Sequence, residues 1–381
     1  MTKNVTSGPT YQRELRVAVV APGEYFGGAE RQVAQLLSHL QSRGARVELF
    51  LLHDRELAAS ARALGIAPRI IGSGRRFDLQ AIRELVRSLR AARCDVVHAH
   101  GYKATVIAGL ARMRTPFALV KTEHGRMESG RGSVRERIVA GSYRRLENAL
   151  SRMSDATIVY VTNELQQFYA REHAGMQGRV IYNGIAVRGR DGLPRPAELT
   201  RERFNVVVLG RLEHVKGVEH AIHAMAGEVP AAVTLHVVGD GPLQQQLRTL
   251  ADQLNVSGSV VFHGFRADGA SFAAHADLLL MPSLHEGLPY TLLEAIDAGT
   301  PVAASAVGGL AEVLEHERTA LLFAPGDAAA VAAAISRMHG DAELRDALAA
   351  RASAVLLPRL RAETMGDAYL ALYREVARAR A

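Results

Sequence analysis

The sequence alternates short, uninterrupted apolar runs with stretches of helical periodicity, and it does so in two successive sets. The apolar runs of the first set are RVAVVAP (16–22), RVELFLL (46–52), DVVHAH (95–100), FALVKTEH (117–124), ATIVYVT (156–162) and VIYNGI (180–185). Runs of this length without polar alternation are typical of strands that are buried on both faces. Strands separated by helices predict a doubly wound parallel sheet.

A polar segment with proline and glycine, residues 189–203, ends the first set, and the pattern then restarts. The second set consists of NVVVLGR (205–211), VTLHVVGDG (233–241), SVVFHGF (259–265), ADLLLMPS (276–283), PVAASAV (301–307) and TALLFAP (319–325). A chain of 381 residues exceeds the usual size of a single core. We therefore predict two α/β domains, residues 1–188 and 200–361, with a helical stretch over 362–381.

The composition excludes several classes of protein. The single cysteine, Cys94, rules out an intramolecular disulfide, and its place at the start of a predicted buried strand disfavours a nucleophilic role. No apolar run approaches the ~20 residues that cross a bilayer. The polar N-terminus precedes an apolar run that is too short for a signal peptide. These features predict a cytoplasmic protein.

The charge is distributed unevenly along the chain. Residues 1–190 carry 30 Lys/Arg against 16 Asp/Glu, a net of +14, and the remainder carries 16 against 23, a net of −7. A basic first half favours an anionic partner, such as a membrane surface or a lipid-pyrophosphate acceptor, over a merely solvated face. The Arg-rich segment 126–155 is compatible with either interpretation. Nucleic acid is not an expected partner, because aromatic residues make up only 5% and no zinc or helix-turn-helix module occurs.

The most informative segment is MPSLHEGLPYTLLEAIDAGTPVAAS, which carries Glu286 and Glu294. It predicts a buried strand, a Gly/Pro turn with Glu286, and a helix that carries Glu294 and stops at Gly299. Ligands bind at the carboxyl ends of strands in open α/β sheets, and free amides at a helix N-terminus favour a phosphate. Two carboxylates beside such amides suit a nucleotide sugar, although solvated carboxylates favoured by the helix dipole are the alternative.

Two cations follow the first predicted strand of the second set. Arg211 and Lys216 lie in the loop after Gly210, before a helix that begins near Gly217. Cations beside a helix N-terminus suit a diphosphate, because the amides point at it and the cations neutralise it. Solvated side chains are the alternative.

The first half has two candidate motifs. Gly27 and Gly28 lie between a predicted strand and helix, where glycine lets backbone amides approach a ligand. Their spacing is not G-x-G-x-x-G, which disfavours a dinucleotide site. His98 and His100 alternate along a strand, but no further ligands are evident, so no metal site is expected.

Taken in order, these motifs resemble those of the retaining GT-B glycosyltransferases of family 4. The resemblance rests on the Gly27–Gly28 loop, the His124–Gly125 strand end, Asn183–Gly184, G-R-L with Lys216, the G-D-G-P turn at 239–242, and E-x7-E from Glu286 to Glu294. It covers nearly the entire chain. It implies two Rossmann-like domains of doubly wound parallel sheet that face each other across a cleft, with the last helix packing back on the first domain.

The resemblance also implies roles for individual residues. Arg211 and Lys216 would hold the donor diphosphate, Glu294 the ribose, and Glu286 the transferred sugar. The residues expected to act in catalysis are His124, Glu286, Arg211 and Lys216. The residues expected to bind the donor are Gly27, Gly28, Arg211, Lys216, Phe265, Glu286, Gly287, Leu288 and Glu294.

The function implied is retaining transfer of a hexose-type sugar from a UDP- or GDP-sugar to an acceptor hydroxyl of a cell-envelope or lipid-linked glycan precursor. No D-x-D occurs, so neither a bridging metal nor another cofactor is expected, and Arg211 and Lys216 would supply the charge. A peripheral location on the inner face of the cell membrane is compatible with the basic first half. The alternatives are a nucleotide-sugar 2-epimerase of GT-B fold and a non-enzymatic basic protein that binds membrane or nucleic acid.

Overall fold

The computed structural model describes residues 14–24, 27–72, 78–126 and 134–380, without the side chains of 134–137 and 140. Two compact units divide the chain. One comprises Met1–Lys121, Val134–Thr157 and Leu370–Ala381, and the other Thr122–Ser133 and Ile158–Tyr369. Two boundaries between the units fall at residues 121–122 and 157–158, each inside a strand described below. The domain limits 1–188 and 200–361 remain a prediction.

The first sheet has seven strands in the order β3-β2-β1-β4-β5-β6-β7. Their bounds are β1 Arg16–Ala21, β2 Arg46–Leu51, β3 Arg69–Ile70, β4 Val96–His100, β5 Ala118–Glu123, β6 Thr157–Tyr160 and β7 Gly178–Val180. Strand β1 pairs in parallel with both β2 and β4, so that Val19 lies opposite Leu49 on one side and His98 on the other. The strand order reverses between β1 and β4, as in a doubly wound sheet.

Helices connect these strands. Their bounds are α1 Gly28–Ser42, α2 Glu56–Ala63, α3 Leu79–Ala92, α4 Tyr102–Arg112, α5 Val134–Met153 and α6 Asn163–Phe168. Helix α3 begins at a sequence-encoded cap, because the carboxylate of Asp78 accepts hydrogen bonds from the N–H groups of Gln80 and Ala81. Its buried face packs on the strands, as the periodicity predicts.

The second sheet has six strands in the order β10-β9-β8-β11-β12-β13. Their bounds are β8 Phe204–Leu209, β9 Val233–Val238, β10 Val260–Gly264, β11 Leu278–Met281, β12 Val302–Ser305 and β13 Leu321–Phe323. Strand β8 pairs in parallel with β9 and with β11. The strand order therefore reverses between β8 and β11, which places a ligand site at their carboxyl ends.

Eight helices follow in the described part of this second half. They are α7 Val218–Met225, α8 Gln244–Gln253, α9 Gly269–His275, α10 Tyr290–Ala298, α11 Gly308–Val313, α12 Ala328–Gly340, α13 Ala342–Leu356 and α14 Ala362–Arg378. Helix α10 ends at Gly299, which has the left-handed φ of 69°. The predicted stop is thus confirmed, because glycine adopts this conformation without strain.

One predicted strand is wrong. Residues 180–185 do not form a strand beyond Val180; Ile185 makes only an isolated bridge with Arg361. Asn183 and Gly184 redirect the chain, and a Cβ at Gly184 would collide with the Arg361 carbonyl. The apolar residues of this run are buried by loop packing rather than by sheet pairing.

The final helix contacts the first sheet. The hydroxyl of Tyr373 lies 2.6 Å from Nδ1 of His98, which is fully buried on β4. The Arg380 guanidinium donates to the Phe117 carbonyl just before β5, at 3.2 Å. His98 is therefore a structural histidine with a hydrogen-bond partner.

Two further findings bear on the class of protein. No helix in the described ranges is both long and apolar enough to cross a bilayer. Cys94 is buried, and burial raises the pKa of its thiol to about 12, so the thiol stays protonated and a nucleophilic role is disfavoured.

Candidate active site

The candidate site lies at the carboxyl ends of β8 and β11, where the second sheet reverses its order. The loop after β8 runs through a short 3-10 helix, His214–Lys216, and the loop after β11 carries Glu286. The two loops are joined, because the N–H of Leu284 donates to the Val215 carbonyl at 2.8 Å. Gly217 packs on the Pro282 carbonyl so closely that a Cβ would collide with it. The backbone thus fixes one loop against the other.

An ion pair links these loops across a small pocket. Nζ of Lys216 lies 2.6 Å from Oε1 of Glu286, and the Ser283 hydroxyl donates to the same oxygen at 2.8 Å. The Glu286 side chain is only 9% exposed, whereas that of Lys216 is 25% exposed. The pocket is lined by both side chains and by Gly210. Two of the predicted catalytic residues are therefore in direct contact.

The turn after Glu286 presents two backbone donors. Within the described residues, the N–H groups of Gly287 and Leu288 have no hydrogen-bond partner. The turn itself is held, because the Asn183 amide donates to the Leu288 carbonyl at 2.6 Å and the N–H of Gly309 donates to the Glu286 carbonyl at 3.0 Å. Rigid, unpaired N–H groups beside a cation form a site for an anion or a hydroxyl.

His124 lies against this turn. A Cβ added to Gly287 would stand 2.6 Å from the His124 carbonyl oxygen, so the strand end of β5 touches the turn. The hydroxyl of Tyr169 donates to the Gly125 carbonyl at 3.1 Å and fixes this strand end. Burial lowers the pKa of His124 to about 4, although the charge of Glu123 opposes the shift. His124 is therefore a neutral imidazole near pH 7, able to donate one hydrogen bond and accept one.

Arg211 shares the loop of Lys216 but points elsewhere. Its guanidinium pairs with Glu213, and its side chain is 54% exposed. The neighbouring Gly-Asp-Gly turn supports this loop: Leu212 donates to the Asp240 carbonyl at 2.9 Å, and a Cβ at Gly239 would collide with the Gly210 carbonyl. Arg211 is thus displayed beside the pocket instead of lining it.

The other predicted donor-binding residues of the second half lie on α10 and in the loops that follow β10 and β11. Glu294 is half-buried in the second turn of α10. Phe265 follows β10 and is 69% exposed, so its ring is open to a ligand. Its neighbour Arg266 is engaged in ion pairs with Asp268 and Glu198 at 2.8 and 2.9 Å. The side chain of Leu288 is buried in the core and only its backbone is available.

Gly27 and Gly28 lie at the start of α1, in the other compact unit. The N–H of Gly27 donates to the Glu30 carboxylate at 3.1 Å. This contact is part of a capping box at the start of α1, and it occupies the Gly27 amide. The loop residues just before Gly27 lie outside the described residues.

Asn183, which belongs to a motif of the sequence but was given no role there, holds the Glu286 loop from one side. Sequence reasoning missed Ser283, which holds the loop from the other side, and the polar network of Glu164, His285 and Glu312 behind it. No group of three or more His, Cys, Asp or Glu that could hold a metal ion occurs in the described ranges. The missed residues have no spacing signal, since they come together only in the folded chain.

Comparison with known families gives two matches, one in each half of the chain, which together contain every strand except β1. The family model described as "Glycosyltransferase Family 4" matches residues 26–188, and "Glycosyl transferases group 1" matches residues 193–355. The second match contains the Lys216 and Glu286 loops.

Among curated proteins, the chain is similar to the lipopolysaccharide core biosynthesis glycosyltransferase LpsD of Rhizobium meliloti. The two are 37% identical over 184 residues, which cover 48% of this chain and 52% of LpsD. It is also 32% identical over 283 residues to glycogen synthase of Mycobacterium tuberculosis, covering 69% of this chain and 64% of that protein. The chain thus spans about half the length of the first of these relatives and less than two thirds of the second.

Among solved structures, Anabaena Alr3699/HepE in complex with UDP-glucose superposes with a TM-score of 0.81 at 21% identity, covering 95% of this chain and 100% of that chain. This likeness confirms the predicted two-domain, Rossmann-like GT-B fold.

Proposed function

The chain belongs to family 4 of the GT-B glycosyltransferases, and we propose that it is a retaining enzyme that moves a sugar from a nucleoside-diphosphate sugar to an acceptor hydroxyl. The observation that carries the proposal is the pairing of Lys216 with Glu286 beside the unpaired N–H groups of Gly287 and Leu288. A cation, a carboxylate and two amide donors match a diphosphate joined to a polyhydroxyl ring.

Donor binding would exchange one partner of Lys216 for another. The diphosphate carries more negative charge than a single carboxylate, so it would take Lys216 and release Glu286 to accept hydrogen bonds from the sugar hydroxyls. Arg211, exposed on the same loop, would swing onto the diphosphate. The amides of Gly287 and Leu288 and the neutral imidazole of His124 would complete the sugar contacts.

We propose the following transfer step. The bond between the anomeric carbon and the β-phosphate oxygen breaks, and the bond to the acceptor oxygen forms on the same face of the ring. The acceptor proton passes to the departing phosphate oxygen. Lys216 and Arg211 stabilise the charge that develops on the leaving diphosphate, which is the largest contribution a fixed site makes. We propose that these cations replace a divalent metal and that no cofactor is needed.

The relatives indicate the substrates to test first. The Anabaena structure is a complex with UDP-glucose, and LpsD is named for lipopolysaccharide core synthesis. We therefore favour a UDP-sugar donor and a cell-envelope or lipid-linked glycan acceptor. Relatives that are transferases do not favour the 2-epimerase or the non-enzymatic alternative.

The direct test is a transfer assay with UDP- and GDP-sugars, a panel of lipid-linked and soluble glycan acceptors, and excess chelator. Nuclear magnetic resonance of the product gives its anomeric configuration. We expect an α-linked product from an α-linked donor, no change on addition of chelator, and loss of transfer in Lys216→Ala and Glu286→Ala.

An inverted product would refute the retaining mechanism, and full activity of both variants would refute the site. Conversion of the donor without any acceptor would favour the epimerase. Arg318→Gln is the matched control. It removes a cation of the same compact unit whose side chain is 59% exposed.

A further inference from the structure

We propose that Glu164 is a positioning residue, whose carboxylate joins the loop of His124 to the loop of Glu286 and so sets the placement of both side chains. The roles of His124 and Glu286 rest on the proposed function. The contacts that support the bridge do not.

The two oxygens of Glu164 have different partners. Oε1 pairs with the guanidinium of Arg126, and Oε2 lies 3.4 Å from Nε2 of His285. Arg126 follows His124 by two residues, and His285 directly precedes Glu286. One carboxylate therefore connects both loops. It acts through these partners.

Glu164 is itself fixed from a third element. Its N–H donates to Oε2 of Glu312 on α11 at 2.9 Å, and the N–H and side-chain amide of Asn163 donate to Oε1 of Glu312 at 3.0 and 2.7 Å. The hydroxyl of Tyr182 donates to the same carboxylate. Four donors, three of them from residues at the start of α6, therefore share one carboxylate. They hold the start of α6 in place and so fix the backbone of Glu164.

Arg126, in the loop after β5, is held against helix α6. Its guanidinium carbon lies 4.2 Å from the ring centroid of Phe168, one turn beyond Glu164. A cation over an aromatic face and against a carboxylate has little freedom to turn away. The loop that leaves β5 is thus tied to α6 by two different contacts.

His285 presents its N–H to the bridge. Burial, together with the nearby charge of Arg126, lowers the pKa of His285 to about 4, so the ring is neutral near pH 7. A carboxylate only accepts hydrogen bonds, so the proton of the neutral ring is on Nε2 when it faces Glu164. The bridge therefore selects one tautomer and one ring orientation.

Removing the bridge should affect turnover more than binding of the nucleotide. Lys216, which would hold the diphosphate, pairs with Glu286 and not with Glu164, so the dissociation constant for UDP, which lacks the sugar that His124 and Glu286 would contact, should change little. A misplacement of about 1 Å can cost on the order of 100-fold in rate. We expect Glu164→Ala to lower kcat by about that factor, and Glu164→Gln, which keeps the shape and a hydrogen-bond acceptor, by about 10-fold.

A spectroscopic experiment tests the bridge without any substrate. In protein labelled with 15N-histidine, the long-range 1H–15N spectrum reports the tautomer of each ring, and the His285 signals are those lost in His285→Gln. We expect the Nε2–H tautomer in the wild type and a mixture of tautomers in Glu164→Ala. Glu202→Gln, an exposed carboxylate of the same compact unit, is the charge-matched control and should leave the spectrum and kcat unchanged.

The outcomes are distinct. An unchanged His285 spectrum in Glu164→Ala overturns the proposal, and so does a loss of kcat that the glutamine variant does not partly restore. If the wild type turns over no nucleotide sugar, the proposed function has failed, and the tautomer measurement still decides whether the bridge exists.

Discussion

At the scale of the residue, the centre of the site is one ion pair whose members are buried to different degrees. Glu286 is nearly inaccessible, and Lys216 remains a quarter exposed. Ser283 supplies the second hydrogen bond to the carboxylate. Because both charges are satisfied by each other, a donor must bring a group that competes for Lys216.

Breaking this pair from one side should cost both activity and stability. Lys216→Met leaves the Glu286 carboxylate buried beside Ser283 alone, which we expect to lower the free energy of unfolding by about 1–3 kcal/mol. Turnover should fall by about 100-fold or more, because charge developing on the leaving group loses its cation. Urea unfolding and steady-state kinetics measure the two effects.

The double variant Lys216→Met/Glu286→Gln separates the effect on stability from the effect on turnover. It should regain part of the lost stability, since no unpaired buried charge remains, and should stay inactive. A double variant that is no more stable than Lys216→Met would contradict this account of the pair.

Three histidines give the protein a predictable dependence on pH. Burial lowers the pKa values of His124, His236 and His285 to about 4. Below about pH 6.5 the unfolded chain therefore binds protons that the folded chain does not, and stability falls as the pH falls through that window. Above it, these groups are neutral in both states and contribute no slope.

Urea unfolding between about pH 5 and pH 7.5 measures this slope, which should be on the order of 1 kcal/mol per pH unit for each histidine below pH 6.5. His285→Gln should reduce the slope, whereas His316→Gln, at a side chain 54% exposed, should not. A free energy of unfolding that stays constant over the lower half of the range would refute the buried, neutral histidines.

At the scale of the element, the site consists of loops that pack through glycines. Gly308 and Gly309 begin α11 and lie against the carbonyl groups of Glu286 and Gly287. Gly287 in turn lies against the end of β5. Each contact needs a missing Cβ, so the loops are positioned by backbone sterics and not only by hydrogen bonds.

Gly309→Ala tests this packing. The new Cβ would collide with the Gly287 carbonyl and lie 2.7 Å from Cγ2 of Thr162, so the Glu286 loop must shift. We expect a loss of about 1–3 kcal/mol in stability, typical of overpacking, and a loss of turnover. Gly258→Ala is the control, because its Cβ meets no atom within 4 Å. Equal behaviour of the two variants would show that the packing is not needed.

The elements also show what the sequence can predict. Most strands of both sheets follow from their apolar runs, because a strand buried on both faces has no polar alternation. The run 180–185 was wrongly predicted as a strand for the same reason, because the buried loop around Asn183 is as apolar as a buried strand. The two-residue strand β3, Arg69–Ile70, is exposed and has no such run, so it was not predicted. The Lys216 and Glu286 loops were predictable from local motifs. Glu164 and Glu312 were not, because 148 residues separate them and only the fold brings them together.

At the scale of the whole molecule, the chain combines two doubly wound sheets with a terminal helix that returns to the first sheet. The hydrogen bond between Tyr373 and buried His98 fixes that return. Tyr373→Phe removes one hydrogen-bond partner of a fully buried imidazole, and we expect a loss of about 1–3 kcal/mol in unfolding free energy. The exposed arginine variant Arg374→Gln on the same helix should have no such effect, and calorimetric unfolding compares the two.

We propose that the Lys216–Glu286 site holds the diphosphate of the donor without a metal. Isothermal titration of the wild type, Lys216→Ala and Arg318→Gln with UDP and GDP in excess chelator is the decisive experiment. We expect saturable binding of one nucleotide by the wild type and by Arg318→Gln, and affinity weakened by at least about 10-fold in Lys216→Ala, because a charge-assisted contact is lost. Binding that is unchanged in Lys216→Ala, or that appears only when a divalent metal is added, would contradict it.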